Sequence, residues 1–271
     1  MRKTLAIGIA LLGLVLLFAG CAGIGGAAGG GVRGNGVLAD TEIPLDGSFD
    51  RIVSRGSFDV VISNEPSDSV LFQIDENLLS YVELDVHISG TTLYLSTEVR
   101  NISFSPTLFQ FHVGAADLTA VSLTGSGHIR GEGVRYAPHF EATLTGSGDM
   151  FFELNIANDL TATVSGSGEI VLQGAATHAN IAVSGSGEAD LRALFAQSAT
   201  ATVNGSGEAR VYAEESLSVT VTGSGDVFYY GNPQTKAERS PVRGVSEKAR
   251  GPRNDPLRKF QFLSLACKGG M

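Results

Sequence analysis

The chain has 271 residues, 43% of them hydrophobic and 17% charged, with a formal net charge of −9 at pH 7. Such a chain can pack a core, and an acidic body argues against binding nucleic acid through its phosphates. Two cysteines, Cys21 and Cys267, exclude a disulfide framework, and five histidines (His87, His112, His128, His139, His178) are scattered without metal-ligand spacing.

In chain order, residues 1–20 read as a secretory signal peptide. Arg2 and Lys3 precede an apolar stretch from Leu5 to Phe18, too short for a comfortable membrane span. Phe18-Ala19-Gly20-Cys21 resembles a bacterial lipobox, with Phe18 where leucine is usual, and this makes Cys21 the expected lipidation site. Residues 21–40, with a Gly/Ala run from Gly23 to Gly31, read as a flexible tether.

Residues 41–117 are β-rich and non-repetitive. Phe49-Asp50-Arg51-Ile52-Val53, Phe58 to Ile62, Val70 to Ile74 and Thr92 to Leu95 read as strands. A short helix is expected within 75–81. The region is expected to supply N-terminal coils and a cap for a solenoid formed by residues 118–235, or else a separate small β-domain.

Residues 118–235 repeat. Gly125-Ser126-Gly127 recurs at Gly146-Ser147-Gly148, Gly166-Ser167-Gly168, Gly185-Ser186-Gly187, Gly205-Ser206-Gly207 and Gly223-Ser224-Gly225, so the period is about twenty residues. Before each triplet, apolar and small polar residues alternate, as in Ala162-Thr163-Val164-Ser165. After most triplets an acid is followed by an apolar residue. A period of two marks half-buried strands, and paired glycines mark corners where coils approach closely. These features predict an all-β fold, a parallel β-solenoid with one coil per repeat.

In such a stack Asp149, Glu169, Glu188, Glu208 and Asp226 form an acidic column. Two readings stay open for it, a divalent-cation ladder that would take calcium and a solvated acidic rim. Arg130 and Arg210 share an outward repeat position with Asp190, which predicts ion pairing on one face. Phe151, Phe228 and Tyr230 are expected on one outward column as contact residues. The few arginines (Arg130, Arg135, Arg192, Arg210) and the lack of a histidine matched to a serine argue against an enzyme.

Residues 236–271 change character: no lysine lies between Lys3 and Lys236, yet nine lysines and arginines face three acids after residue 235. The stretch reads as a disordered basic tail, or as the product of a reading-frame slip.

Phe49-Asp50-Arg51-Ile52, Gly56-Ser57-Phe58-Asp59-Val60, Asp75-Glu76-Asn77-Leu78 and the serial Gly-Ser-Gly-Asp/Glu corners together resemble the bacterial family described as putative auto-transporter adhesin, head GIN domain. The resemblance covers roughly residues 48–233. It implies a right-handed β-helix, export in Gram-negative bacteria and frequent lipoprotein signals, with no catalytic residues. The expectation is a non-enzymatic lipoprotein of the cell envelope, held in the outer membrane by lipid on Cys21. Its solenoid would present a face to a protein or glycan outside the cell, with a periplasmic scaffold as the alternative.

Overall fold

A computed structural model of the chain describes residues 31–100, 103–239 and the backbone of 245–247. The expected signal peptide, Cys21, the first part of the tether and most of the basic tail lie outside the described residues. From residue 120 onward each repeat is one turn of a parallel β-solenoid, of about six turns in all. Register is strict at the corner, where Gly125, Gly146, Gly166, Gly185, Gly205 and Gly223 lie over one another.

Alternation fills the interior. In the strand Asp149–Gly166 the residues Met150, Phe152, Leu154 and Ile156 are buried on one wall, and Leu160, Ala162 and Val164 on the other. The columns they head run through the stack, as in Leu144–Val164–Val183–Val203–Val221. Each fully buried leucine or valine contributes roughly 1.5–3 kcal/mol relative to exposure, so the shared core outweighs anything a single coil could bury.

The return between walls is itself extended. Its changing length is absorbed by irregularities in the ladder, such as the one between Ile156 and Asp159. There the Thr177 hydroxyl donates to the Ala157 carbonyl (2.7 Å).

The two corner glycines answer different demands. Gly185 has φ +109, a left-handed conformation that L side chains rarely adopt. Gly187 is not in that region, but a Cβ there would lie 2.6 Å from the Gly168 carbonyl oxygen and 2.6 Å from Val164 Cγ1. The serine between them faces solvent and joins the stack through its backbone, Ser186 N–H donating to the Gly166 carbonyl (2.9 Å). Among the described residues the corner bonds to the coil below are main-chain bonds.

The N-terminal region continues the same stack out of chain order. Arg51–Gly56 and Asp59–Ser63 pair in parallel beneath Ala120–Gly125 and the start of His128–Gly146. Beneath them, again in parallel, lie Thr92–Val99 and Phe109–Gly114. The chain therefore builds its second coil first, then drops below it, then climbs.

In the Arg51–Ser63 coil, Ser54 stands under Leu123 and Phe58 takes the second corner position, so a small core residue is matched by a large corner one. The Phe58 ring packs edge-on against Phe111 with centroids 4.8 Å apart.

Antiparallel strands close this end: Val82–Ser89 on Thr92–Val99, and Leu38–Pro44 on Ser69–Asp75, which pairs with Phe109–Gly114. The outermost strands expose Glu83, Asp85, Asp40 and Glu42, which oppose further strand addition.

Three expectations are corrected. Residues 31–40 are not a free tether: Val32–Arg33 pairs with Phe104–Ser105, and Leu38–Pro44 begins the cap. The helix expected in 75–81 is only a 3-10 turn at Leu79–Tyr81, because Asp75 ends a ladder strand. The stretch after 235 is not disordered throughout: Thr235–Arg239 adds to Ser216–Gly223 and Val245–Glu247 to Asp226–Tyr230. The open edge of the last coil supplies unpaired backbone groups that even a polar segment can satisfy.

Replacing Gly187 with Ala should lower unfolding free energy by roughly 2–4 kcal/mol, since the neighbouring obstacle is backbone and cannot swing away. Ser186→Ala should change it by under about 0.5 kcal/mol. Chemical denaturation of both variants checks the contrast.

Candidate functional site

With the interior filled, chemistry is left to the outward faces, and the two walls differ. On the wall leading into each corner, outward positions carry hydroxyls and amides. One column runs Thr143, Thr163, Ala182, Thr202, Thr220, and its neighbour runs Thr145, Ser165, Ser184, Asn204, Thr222. Threonine suits a pleated surface, and its χ1 is stiff, so these hydroxyls have defined directions. Two carboxylates stand at the start of this wall, Glu141 paired with Arg51 at 2.9 Å and Asp159 with His139 at 3.2 Å.

The wall leaving each corner is charged. Asp149, Glu169, Glu188, Glu208 and Asp226 stand in register as one column, above His128. Adjacent strands are about 4.8 Å apart, and two carboxylates at that distance in water repel by only about 0.9 kcal/mol.

The column is not uniform. At its base His128 Nδ1 lies 3.0 Å from Asp149 Oδ2. Higher up, Arg210 contacts Glu188, lies 2.6 Å from Glu208 Oε1 and 3.7 Å from Asp190 Oδ2. Asp190 is 5% exposed and is also held by Arg192 at 2.6 Å. Glu169, Glu188 and Asp190 bring oxygens within 4.8 Å of one another, the closest approach to a cation site among the described residues. The Arg210 guanidinium already bridges two of them.

The expected pairing of Arg210 with Asp190 is present. Arg130 is three coils below Asp190, its column reading Arg130–Phe151–Val171–Asp190–Arg210–Phe228. The aromatic expectation is corrected: Phe151 and Phe228 share that column, whereas Tyr230 lies on the next one, over Tyr212. All three are half-buried, since neighbouring coils cover their flanks.

Two further buried charges, one in the N-terminal cap and one on the strand His128–Gly146, serve the fold. Asp75, fully buried, accepts the N–H groups of Gly36 and Thr107, each at 2.7 Å. Burial pushes its pKa up, but bonds from Thr107, Gly36 and Leu108 outweigh that and hold it below the ordinary carboxylate value. Asn77 assists, its amide donating to the Arg33 carbonyl at 2.8 Å. Arg135, 3% exposed, donates to the carbonyls of Ala115, Ala116 and Ser63, where the chain leaves one coil and rejoins the stack. Burial lowers its pKa to about 10, with Asp117 opposing, so it stays charged at neutral pH. Sequence reading found neither role. A carboxylate at a strand end and an arginine in a strand look like surface residues until the chain's detour through 64–119 encloses them.

Among the described residues no histidine hydrogen-bonds a serine, threonine or cysteine. His112 contacts Gln73 and Gln110, and His128 and His139 contact aspartates. Filled core, ordered outward columns and a capped end define a capped parallel β-solenoid.

The chain belongs to the family described as "putative auto-transporter adhesin, head GIN domain", whose model matches residues 48–233. A "putative adhesin" from Bacteroides fragilis has the same fold at 18% identity and TM-score 0.69, over 80% of this chain and 99% of that one. A "putative lipid binding protein" from Parabacteroides distasonis is 27% identical with TM-score 0.62, over 80% and 98%. A "putative adhesin" from Parabacteroides merdae is 19% identical with TM-score 0.58, over 80% and 97%. No curated protein matches.

Asp75 contributes stability above the ordinary carboxylate pKa, and that contribution is lost as pH falls through its lowered folded value. Asp75→Asn should therefore cost roughly 1–3 kcal/mol at neutral pH, by weakening charge-assisted bonds to buried N–H groups. Its loss of stability on acidification should be shallower than the native chain's, as read from melting curves across pH. Arg210→Ala should cost roughly 1–3 kcal/mol, because Glu188 and Glu208 lose the cation they share while Asp190 keeps Arg192. The melting temperature of that variant should rise with millimolar calcium more than the native chain's does.

Proposed function

We propose that the chain is a non-enzymatic lipoprotein of the cell envelope that binds a macromolecule outside the cell through the outward faces of its solenoid. The observation that carries this reading is the division of labour along each strand. Inward residues are committed to the core from one end of the stack to the other, leaving outward columns free to vary without disturbing it. Membership of an adhesin-named family supports the same reading. A flat, rigid face several coils long can engage an extended partner at many points at once, and weak contacts then add without a large ordering cost.

No helix among the described residues is long and apolar enough to cross a membrane. In this reading attachment comes from acyl chains on Cys21, since two or more chains anchor far better than one.

Protease shaving of intact cells tests the placement, with a periplasmic protein as control. Loss of the solenoid while the control survives is the expected result. Protection until the outer membrane is opened would end the adhesin reading and favour a periplasmic scaffold.

A further inference from the structure

The two walls present opposite chemistry to solvent. The wall leaving the corner carries the acidic column, the Arg210 network and the half-buried rings of Phe151 and Phe228. The wall leading into the corner carries few charges through the repeat coils, and they lie at its margins. Its columns nearest the corner are threonine, serine and asparagine with Ala182 among them; at the margins Glu141 pairs with Arg51, Asp159 with His139, and Arg239 stands over Thr220 at the top. In a chain with an acidic body this segregation decides which partner each wall can recognise. An ionic partner has charges to meet on one wall and almost none on the other.

We propose that the hydroxyl wall is the docking surface for an extended, neutral polysaccharide outside the cell, lying along the solenoid axis. The proposal rests on the reading of the chain as an envelope binding protein and names its partner's chemistry. Three features support it. A threonine hydroxyl is both donor and acceptor, as sugar hydroxyls are, and the amides of Asn180 and Asn204 add paired donors and acceptors. The hydroxyls are held in place, because Val164, Val183 and Val203 between them are fully buried and the threonine χ1 is stiff.

Spacing is the third feature. Coils repeat at about 4.7–4.9 Å, close to the advance per sugar along an extended β-linked glycan, so each coil faces about one sugar, with alternate sugars presenting opposite edges to alternate coils. One such contact is weak in water, and the wall offers one per coil. The wall ends towards the cap at Tyr94, whose ring stacks on His87 with centroids 5.1 Å apart, with Arg55 over it at 5.3 Å. That cluster bounds the uncharged surface.

The test is retention of the full chain, purified in detergent, on insoluble neutral glucans, amorphous cellulose and a β-1,3-glucan, at low and high salt. Retention should be nearly independent of salt, because no charge is involved. It should fall about tenfold or more in a Thr163→Val, Thr202→Val double variant, a loss of affinity equal to about 1.4 kcal/mol per factor of ten. Valine keeps the shape and strand preference of threonine, so the melting temperature should hold and a folding defect is separable from a binding one. Arg192→Ala, on the other wall, should leave retention unchanged.

Retention that vanishes with salt, or that survives the double variant and is lost in Arg192→Ala, would overturn the assignment to this wall. Failure to bind any neutral glucan would overturn the polysaccharide itself. Surface exposure in the shaving experiment would still stand in that case, so the two readings fail separately.

Discussion

The structure depends on how closely one coil can approach the next at the Gly-Ser-Gly corner. Where Gly187 passes over Gly168, the backbone of the lower coil occupies the space a side chain would need. That contact sets the register, and register turns a repeated sequence into columns. Alternation then sorts each column to the core or to solvent, and the main-chain bonds between corners make adjacent coils one unit. The outward columns inherit their regularity from a constraint located at the corner, several residues away from most of them.

The same constraint explains why one end is built differently. A stack of identical coils would leave an open edge at the bottom. The chain instead places Phe58 where the second glycine would be, with Ser54 beside it, and detours through 64–119 to lay down antiparallel strands. The detour encloses backbone groups that no ladder satisfies. Asp75 and Arg135 serve them, one accepting N–H groups and the other donating to carbonyls. Buried charges usually raise the question of catalysis; here each has backbone partners that account for it.

Much of this was legible in the sequence where a residue's partner is its own copy about twenty positions on. The glycine corners, the inward and outward alternation and the acidic column are of that kind, and their register follows from the period alone. Arg210 with Asp190 was also legible, because both occupy one repeat position. What escaped is non-periodic. The burial of Asp190 depends on Arg192 and Arg210 closing over it, and the clamp at Asp75 depends on Gly36 and Thr107 meeting from distant parts of the chain. Tyr230 stands two residues beyond Phe228 on one strand, so it is one outward step along and falls on the next column, a place that the alternation alone could have given. The strands after residue 234 were missed because their composition is polar, and only the open edge above Ser216–Gly223 makes them pair.

Binding beyond the cell by the outward faces of residues 48–233, as proposed, would make displaying cells adhere. It is tested most directly by the retention of cells under flow on coated surfaces. Cells displaying the native chain are compared with otherwise identical cells displaying the same anchor without residues 48–233. The first should be held on at least one surface from which the second are washed away. Equal detachment of both on every surface, with both chains confirmed outside the cell, would contradict it.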